Sequence, residues 1–150
     1  MATTIALIVG IAAFFATLWY GVVACIGTFG GWGAMARDYP APEPPTAGQR
    51  IPVTSLGFGR GLVSVGTYWS AVTLLLTPRG FELRTRALFH FLHPGLAVPW
   101  RAVRTYEKGK AFGQPFIRVA LSQGQHLRIC GRAATALVQA LARAAARVEV

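Results

Sequence analysis

The chain has 150 residues, and its 15 basic and five acidic side chains give a formal net charge of +10, all of it at or after Arg37. About 40 N-terminal residues are apolar or linker-like, so the remaining ~100 suffice for one small folded domain and exclude a second core. The two cysteines, Cys25 in an apolar run and Cys130 near the C-terminus, lie in settings too different for them to pair, so no disulfide framework is implied.

An apolar stretch from Thr4 to Ile26 predicts one transmembrane helix. No charged side chain precedes Arg37, and the stretch lacks the polar stripe that a helix at the surface of a soluble core presents to water. About 22 residues with a rise of about 1.5 Å each give about 33 Å, which matches the hydrocarbon thickness of a bilayer. The lipid bilayer is therefore the first predicted partner.

The charges around this helix predict its orientation. The N-terminus, Met1 to Thr4, has no basic residue, whereas Arg37 and Arg50 follow the helix. The positive-inside rule then puts the N-terminus outside and the C-terminal domain in the cytoplasm. The alternative is that Val22 to Cys25 is a lipoprotein cleavage box with a lipidated Cys25, but a signal peptide normally opens with Lys or Arg.

The residues that follow the helix predict a membrane-interface segment that ends at residue 39. Trp32 and Tyr39 are amphipathic rings of the kind found at the level of lipid headgroups, and Arg37 lies between them. Gly27 and Gly31 are spaced as a small-xxx-small pair, which would let another helix approach closely. A plain flexible exit from the membrane is the alternative reading of these glycines.

Residues 40–50 predict a proline-rich linker. Four prolines within six residues forbid a helix and favour stiff polyproline II, at about 3.1 Å per residue. Such a linker would hold the following domain at a short distance from the membrane. Recognition of the prolines by a partner is the alternative.

From residue 51 onwards, segments rich in β-branched and aromatic residues alternate with Gly and Pro, which predicts six or seven antiparallel strands. The strand candidates are Val53–Phe58, Leu62–Trp69, Ala71–Thr77, Phe81–Arg86, Arg101–Glu107, Phe116–Leu121 and His126–Cys130. The predicted turns between them are Thr77–Gly80, Lys108–Lys110 and Ser122–Gln125. Because Tyr68 and Trp69 are neighbours on a strand, one ring should face the core and the other the solvent.

The pattern changes at Gly131 to that of a helix. Residues 132–148 are rich in alanine and contain neither Gly nor Pro, and Leu137, Leu141 and Ala145 recur at intervals of four. This spacing predicts a C-terminal helix with one apolar side. The fold class predicted is α+β, with a transmembrane helix, a small antiparallel β-barrel and a closing α-helix.

Several segments resemble the PH-like and GRAM-like domains of bacteria. They are Gly80–Leu83, Phe89, the run from His93 and Pro94 to Pro99 and Trp100, and the helix from Arg132. The whole chain is similar to bacterial single-pass membrane proteins that carry such a domain, which here would cover residues 51–150. The resemblance implies a partly open β-barrel, capped by the helix, that binds lipids or proteins without catalysis. Because the proteins it resembles are bacterial, the expected location is the inner membrane of a bacterium.

The titratable residues predict neither an active site nor a cofactor. The acids past Asp38 are Glu43, Glu82, Glu107 and Glu149. Two of these lie in the linker and the tail, so no carboxylate pair of the kind used in acid–base catalysis emerges. The possible metal ligands by residue type are His90, His93, His126 and Cys130. Strand and turn roles account for these residues better than a metal site does, and none is predicted.

A group of basic side chains around one strand and turn predicts an interaction surface. Its members are Arg101, Arg104, Lys108, Lys110 and Arg118. The leading hypothesis is a non-enzymatic, membrane-anchored protein-binding module, an accessory or structural subunit of a larger membrane complex such as a respiratory or photosynthetic one. The alternative is a sensor of the membrane surface that binds anionic lipid headgroups through this basic face. Nucleic acid is not an expected partner, because the membrane tether restricts access.

Overall fold

The computed structural model describes residues 1–29, 31–60, 63–86, 89 and 93–146. Its helices and strands follow one another in a simple order. They are α1 (Ala2–Phe29), α2 (Trp32–Asp38), β1 (Gln49–Arg60), β2 (Val63–Thr77), β3 (Gly80–Thr85), β4 (Leu96–Pro99), a 3-10 helix (Trp100–Ala102), β5 (Val103–Ala111), β6 (Gln114–Leu121), β7 (Gln125–Cys130) and α3 (Arg132–Ala146).

The strands form one curled antiparallel sheet of seven strands in the order β4-β3-β2-β1-β7-β6-β5. β1 lies at the centre and joins two meanders, because its Leu56 is opposite Tyr68 of β2 on one side and Ile129 of β7 on the other. The predicted order of an apolar N-terminal helix, an antiparallel β-structure and a C-terminal helix is therefore confirmed.

The hydrophobic core lies between the inner face of this sheet and α3. Alternate strand residues such as Leu56 and Ile117 are fully buried, as the two-residue period of a strand requires. The helix contributes Leu137, together with Ala133 and Ala134 at its start. Burying one large aliphatic side chain stabilises the fold by about 1.5–3 kcal/mol. The alanine-rich composition lets α3 approach the sheet closely.

α1 is exposed along most of its length. Its stretch from Thr3 to Cys25, 23 residues, is long and apolar enough to cross a membrane. The predicted helix Thr4–Ile26 falls within α1, which continues to Phe29. Apolar side chains cover every side of this helix, so a lipid environment suits it better than water does.

α2 packs into the core of the domain, which differs from the expected membrane-interface segment. Gly31 precedes it with φ of 84°, and a Cβ at Gly31 would lie 3.0 Å from the Phe58 side chain, so the chain reverses there and directs α2 onto the sheet. Trp32 is 0% exposed and Met35 is 2% exposed. Tyr39 is buried too, and its hydroxyl lies 3.1 Å from the Ser122 hydroxyl.

The proline-rich segment of residues 40–48, here called the strap, lies against the domain. The Ala97 N–H donates to the Tyr39 carbonyl at 2.9 Å, and the Ala41 N–H donates to the Gly95 carbonyl at 3.0 Å. Pro40 thereby bridges to Leu96, and the strap begins as a short extension of the sheet at the β4 edge. Residues expected to act as a spacer are thus held by backbone hydrogen bonds.

Two predicted strand boundaries were wrong. Of the predicted strand Leu62–Trp69, Leu62 lies outside the described residues, and residues 63–69 form the single strand β2 with Ala71–Thr77. The chain stays paired with β1 on both sides of Ser70, a residue with φ of 50°. The predicted turn at Lys108–Lys110 lies inside β5. The turn is formed instead by Phe112 and Gly113, whose φ values of 50° and 77° suit a tight hairpin.

The junction of β7 and α3 depends on Gly131. This residue has φ of 85°, and a Cβ there would lie 2.2 Å from Thr54 Oγ1. We expect Gly131→Ala to lower the free energy of unfolding for two reasons. The left-handed backbone conformation disfavours alanine by about 1–2 kcal/mol, and overpacking against Thr54 costs a further ~1–3 kcal/mol. Chemical denaturation of the protein in detergent micelles measures the loss.

Gly124 provides the matched control for this prediction. It also has a positive φ, 77°, but nothing lies within 4 Å of the Cβ that alanine would add. Gly124→Ala should therefore lose only the backbone part, about 1–2 kcal/mol. Equal losses in the two variants would contradict the role given to the contact with Thr54.

Candidate functional site

β5 forms one edge of the sheet. In the part of the chain that the structure describes, β5 pairs with β6 and with no other strand. Residues 104–108 are all exposed, so the backbone groups on the outer side of β5 are accessible. An exposed edge strand is a template for pairing with another chain. This edge is the first candidate binding site.

The side chains of the predicted basic face lie along this edge. Its members Arg101, Arg104, Lys108, Lys110 and Arg118 are all exposed. Lys108 lies opposite Ile117, so Tyr106, Lys108 and Lys110 share one side of β5. Glu107, on the other side, is the one acid in β5, and its carboxylate lies 3.8 Å from Arg118. The edge therefore carries a clear excess of positive charge.

A groove runs between the β5–β6 hairpin and α3. It encloses about 280 Å³, and its lining includes Lys108, Lys110, Phe116, Ala134, Thr135 and Val138. Gly109 leaves room for the Phe116 ring, because a Cβ at this position would lie 2.9 Å from that ring. The floor of the groove is apolar and its rim is cationic. The sequence prediction did not include Phe116 among the candidate binding residues, although the alternation around Ile117 indicates that the two side chains lie on opposite faces of the strand.

The outer face of the sheet carries a second set of aromatic and cationic groups. The guanidinium carbon of Arg128 lies 4.6 Å from the centroid of the Phe116 ring, which is a cation–π contact. Trp69 is 72% exposed while Tyr68 is buried, which confirms the prediction that the two rings face opposite ways. A lone exposed tryptophan is a common surface feature, so this face is secondary to the β5 edge.

The possible metal ligands do not converge. Over the described residues no group of three or more His, Cys, Asp or Glu side chains is close enough to hold an ion. His126 and Cys130 do lie on the same side of β7, but Arg128 stands between them. His90 lies outside the described residues.

An aromatic cluster lies beneath the end of α1. Trp32 packs against the rings of Phe58, Tyr68 and His93, with centroids 5.4–5.5 Å away. Its indole Nε1–H donates to the Pro94 carbonyl at 2.8 Å. The cluster thus connects α2, the β1–β2 pair and the segment before β4. These rings account for the burial of His93 and for the position of Pro94.

His93 is held as a neutral ring in this cluster. Its Nδ1 lies 3.2 Å from the Phe89 carbonyl, which can only accept, so Nδ1 carries the proton. Burial lowers the pKa of His93 below its usual 6.5, although the bond to Phe89 opposes this. Burial also raises the pKa of Tyr68 to about 12. The Tyr68 hydroxyl therefore donates to Nε2 of His93 at 3.2 Å.

The same cluster reaches the apolar helix. Phe89 contacts His93 with a centroid separation of 6.4 Å and contacts Trp19 of α1 at 5.7 Å. Val23, one turn further along α1, is only 1% exposed. The domain thus packs against the last turns of α1.

The strap covers a buried ion pair on the outer face of β3. Arg84 Nε lies 3.2 Å from the Glu82 carboxylate, whose side chain is 5% exposed. The Arg84 guanidinium also reaches Glu43 at 3.2 Å and donates to the Pro42 carbonyl. A cavity of about 610 Å³ lies beside this pair, with a lining that includes Pro42, Ala47, Phe81, Glu82, Ala97 and Pro99.

The other predicted site residues have structural roles. Gly27 and Gly31 do not share a helix, because α1 ends at Phe29. Gly27 is buried, and its carbonyl lies 3.4 Å from the Cβ that would be added at Gly33 of α2. Arg37 is exposed in the last turn of α2.

The run from His93 to Trp100 ends in the 3-10 helix rather than in a strand. Pro99 ends β4, and Trp100 is partly buried against Phe81, with ring centroids 5.8 Å apart. The indole Nε1–H of Trp100 donates to the Pro78 carbonyl at 3.2 Å. Trp100 therefore fixes the corner between β4 and the turn before β3.

Comparison with known proteins adds no family to this picture. No protein-family model matches the chain, and no curated protein matches it either. Function is therefore inferred from the chemistry of the surfaces described above.

Proposed function

We propose that this chain is a non-enzymatic, membrane-anchored adaptor that binds an acidic, extended segment of a partner protein along β5. One observation carries the proposal: β5 is an exposed edge strand with three cations and one acid, and two further cations lie beside it. An added strand would gain main-chain hydrogen bonds from the edge, which supply affinity with little dependence on sequence. The cations would supply the preference for an acidic segment.

The groove beside α3 supports an extended ligand in particular. Side chains of an added strand point alternately to its two sides, so every second one would face the groove between Lys108 and Val138. Tyr106 lies on that side with Lys108 and Lys110 and is 41% exposed. Tyrosine is enriched among residues that dominate binding energy, because it buries a large ring and keeps a polar group.

The anchoring helix supports a partner in the membrane or at its surface. The proposed topology has α1 crossing the inner membrane of a bacterium, the N-terminus outside and the domain in the cytoplasm, as the positive-inside rule indicates. The chain would then act as an accessory subunit of a larger membrane complex. Seven antiparallel strands and a closing helix also agree with the architecture that the PH-like resemblance implies.

Site-specific photo-crosslinking in native membranes tests this function. A photoreactive amino acid at position 106 should crosslink to protein segments in which acidic residues outnumber basic ones, identified by mass spectrometry. We expect Lys108→Glu with Lys110→Glu to lower the yield about tenfold, which corresponds to ~1.4 kcal/mol of binding energy. The control is Arg79→Glu with Arg143→Glu, the same charge change at exposed positions outside β5.

The outcomes separate the two candidate ligands. Loss of the protein crosslink in the β5 variant alone supports the proposal. Crosslinks to phospholipid alone would favour the alternative, a sensor of anionic lipid headgroups. An equal loss in the β5 variant and in its control would show that only net charge matters and would contradict a site at this edge.

A further inference from the structure

We infer that the folded domain itself enters the lipid interface beside α1, with Phe89 in contact with the bilayer and Arg86 reaching towards the headgroups. This inference rests on the proposed crossing of the membrane by α1. It concerns a surface distinct from the β5 edge, and its ligand is the bilayer.

The depth of Phe89 follows from its contact with Trp19. The two rings lie with centroids 5.7 Å apart. A hydrocarbon core of about 30 Å needs about 20 helical residues. Counted from Thr3, where the apolar span begins, such a length passes Trp19 and ends near Val22. Trp19 therefore lies inside the hydrocarbon boundary, and the Phe89 ring lies beside it.

The exposure of α1 at this level supports the same position. Trp19 and Tyr20 are about half exposed, and Val22 is 45% exposed, whereas Val23 is enclosed. The domain thus covers one side of the last turns of α1 and leaves the other sides open. Lipid must fill the open sides, so the edge of the domain that touches α1 meets lipid as well.

The chemistry next to Phe89 fits an interface. The Phe89 N–H donates to the Arg86 carbonyl at 2.9 Å, so the two residues belong to one turn. Arg86 is exposed, and long cationic side chains at this level extend their charge to the headgroups. An aromatic ring beside such a cation is typical of residues at the membrane–water boundary.

Fluorescence quenching by lipids with brominated acyl chains tests the inference. The full chain, with Cys25→Ser and Cys130→Ser, receives one environment-sensitive label at a new cysteine and is reconstituted in phosphatidylcholine vesicles. The positions are Trp19→Cys, Phe89→Cys and Arg86→Cys, with Phe112→Cys as the matched aromatic control. Phe112 is fully exposed at the β5–β6 turn. Arg86 is exposed, so its label leaves the core packing undisturbed even if Phe89→Cys does not fold.

We expect the brominated lipid to quench the fluorescence of the labels at positions 19, 86 and 89 and to leave the label at position 112 unquenched. Quenching at 19 without quenching at 86 and 89 would overturn this inference and leave the membrane anchor intact. Absence of quenching at 19 would overturn the anchor itself and, with it, the contact of Phe89. Quenching at all four positions would show adsorption of the whole domain and would also overturn the specific contact.

Discussion

Trp32→Ala is expected to lower the free energy of unfolding by about 3–5 kcal/mol, as replacement of a buried tryptophan in a core typically does. The indole is 0% exposed and touches the rings of Phe58, Tyr68 and His93. Its removal would leave a cavity between α2 and the sheet and would free the Pro94 carbonyl from its hydrogen bond. Near-UV circular dichroism during chemical denaturation in detergent micelles measures the loss.

Trp69→Ala is the matched control, because it removes the same side chain from an exposed position. Trp69 is 72% exposed, so this substitution should change the free energy of unfolding by less than about 0.5 kcal/mol. The comparison also separates the two roles considered for Trp32. An indole at headgroup level would behave like Trp69, and similar small losses in both variants would contradict its place in the core.

Local pattern in the sequence predicted those elements whose signal lies within a few residues. The apolar run of α1 has no polar side, and the spacing of Leu137 and Leu141 in α3 matches a helix with one buried face. The hairpin around Pro78 and Gly80 follows from turn chemistry. These elements needed no knowledge of what they pack against, and the structure contains each of them.

The burial of Trp32 in the core could not be predicted from local pattern. A tryptophan that follows an apolar helix fits the headgroup level and a domain core equally well, because both environments favour a ring with one polar atom. The choice depends on Gly31, whose positive φ reverses the chain, and on Phe58 and Pro94, which lie far away in sequence. Long-range contacts of this kind leave no local pattern.

The turn predicted at Lys108–Lys110 failed for a related reason. Gly109 looked like a turn residue, but its missing Cβ serves the close approach of the Phe116 ring across the hairpin. The basic face was predicted residue by residue, whereas its position at a free sheet edge depends on strand order. Among the described residues β5 pairs with β6 alone, and only this pairing shows that the cations lie beside an accessible backbone.

The contacts that hold the domain against α1 also determine how the β5 edge is placed relative to that helix. Because α2 is buried in the core and the strap is bonded to β4, the domain has a defined position relative to α1 instead of hanging from a spacer. A domain held in this way would present the β5 edge in a fixed direction. Fixed presentation reduces the entropy lost when a partner in the same membrane binds.

Arg84→Ala is expected to destabilise the fold by about 3–5 kcal/mol, because it removes the cation from a buried carboxylate. Glu82 is 5% exposed at its side chain, and Arg84 is 14% exposed. The same substitution removes the bonds from Arg84 to Glu43 and to the Pro42 carbonyl. Limited proteolysis should therefore also show faster cleavage within the strap.

Arg118→Ala is the control, since its pair with Glu107 is 3.8 Å long and both side chains are more than half exposed. An exposed pair contributes about 0–1 kcal/mol, so this variant should unfold almost as the original protein does.

A double replacement, Glu82→Leu with Arg84→Leu, separates the effect of the unpaired buried charge from the effect of the lost bonds to the strap. Apolar replacement of a buried pair is often neutral, so the double variant should regain most of the stability that Arg84→Ala loses.

Faster cleavage of the strap should persist in the double variant, because the bonds from Arg84 to the strap are still missing. A double variant as unstable as Arg84→Ala would show instead that docking of the strap, and not burial of an unpaired carboxylate, dominates the effect.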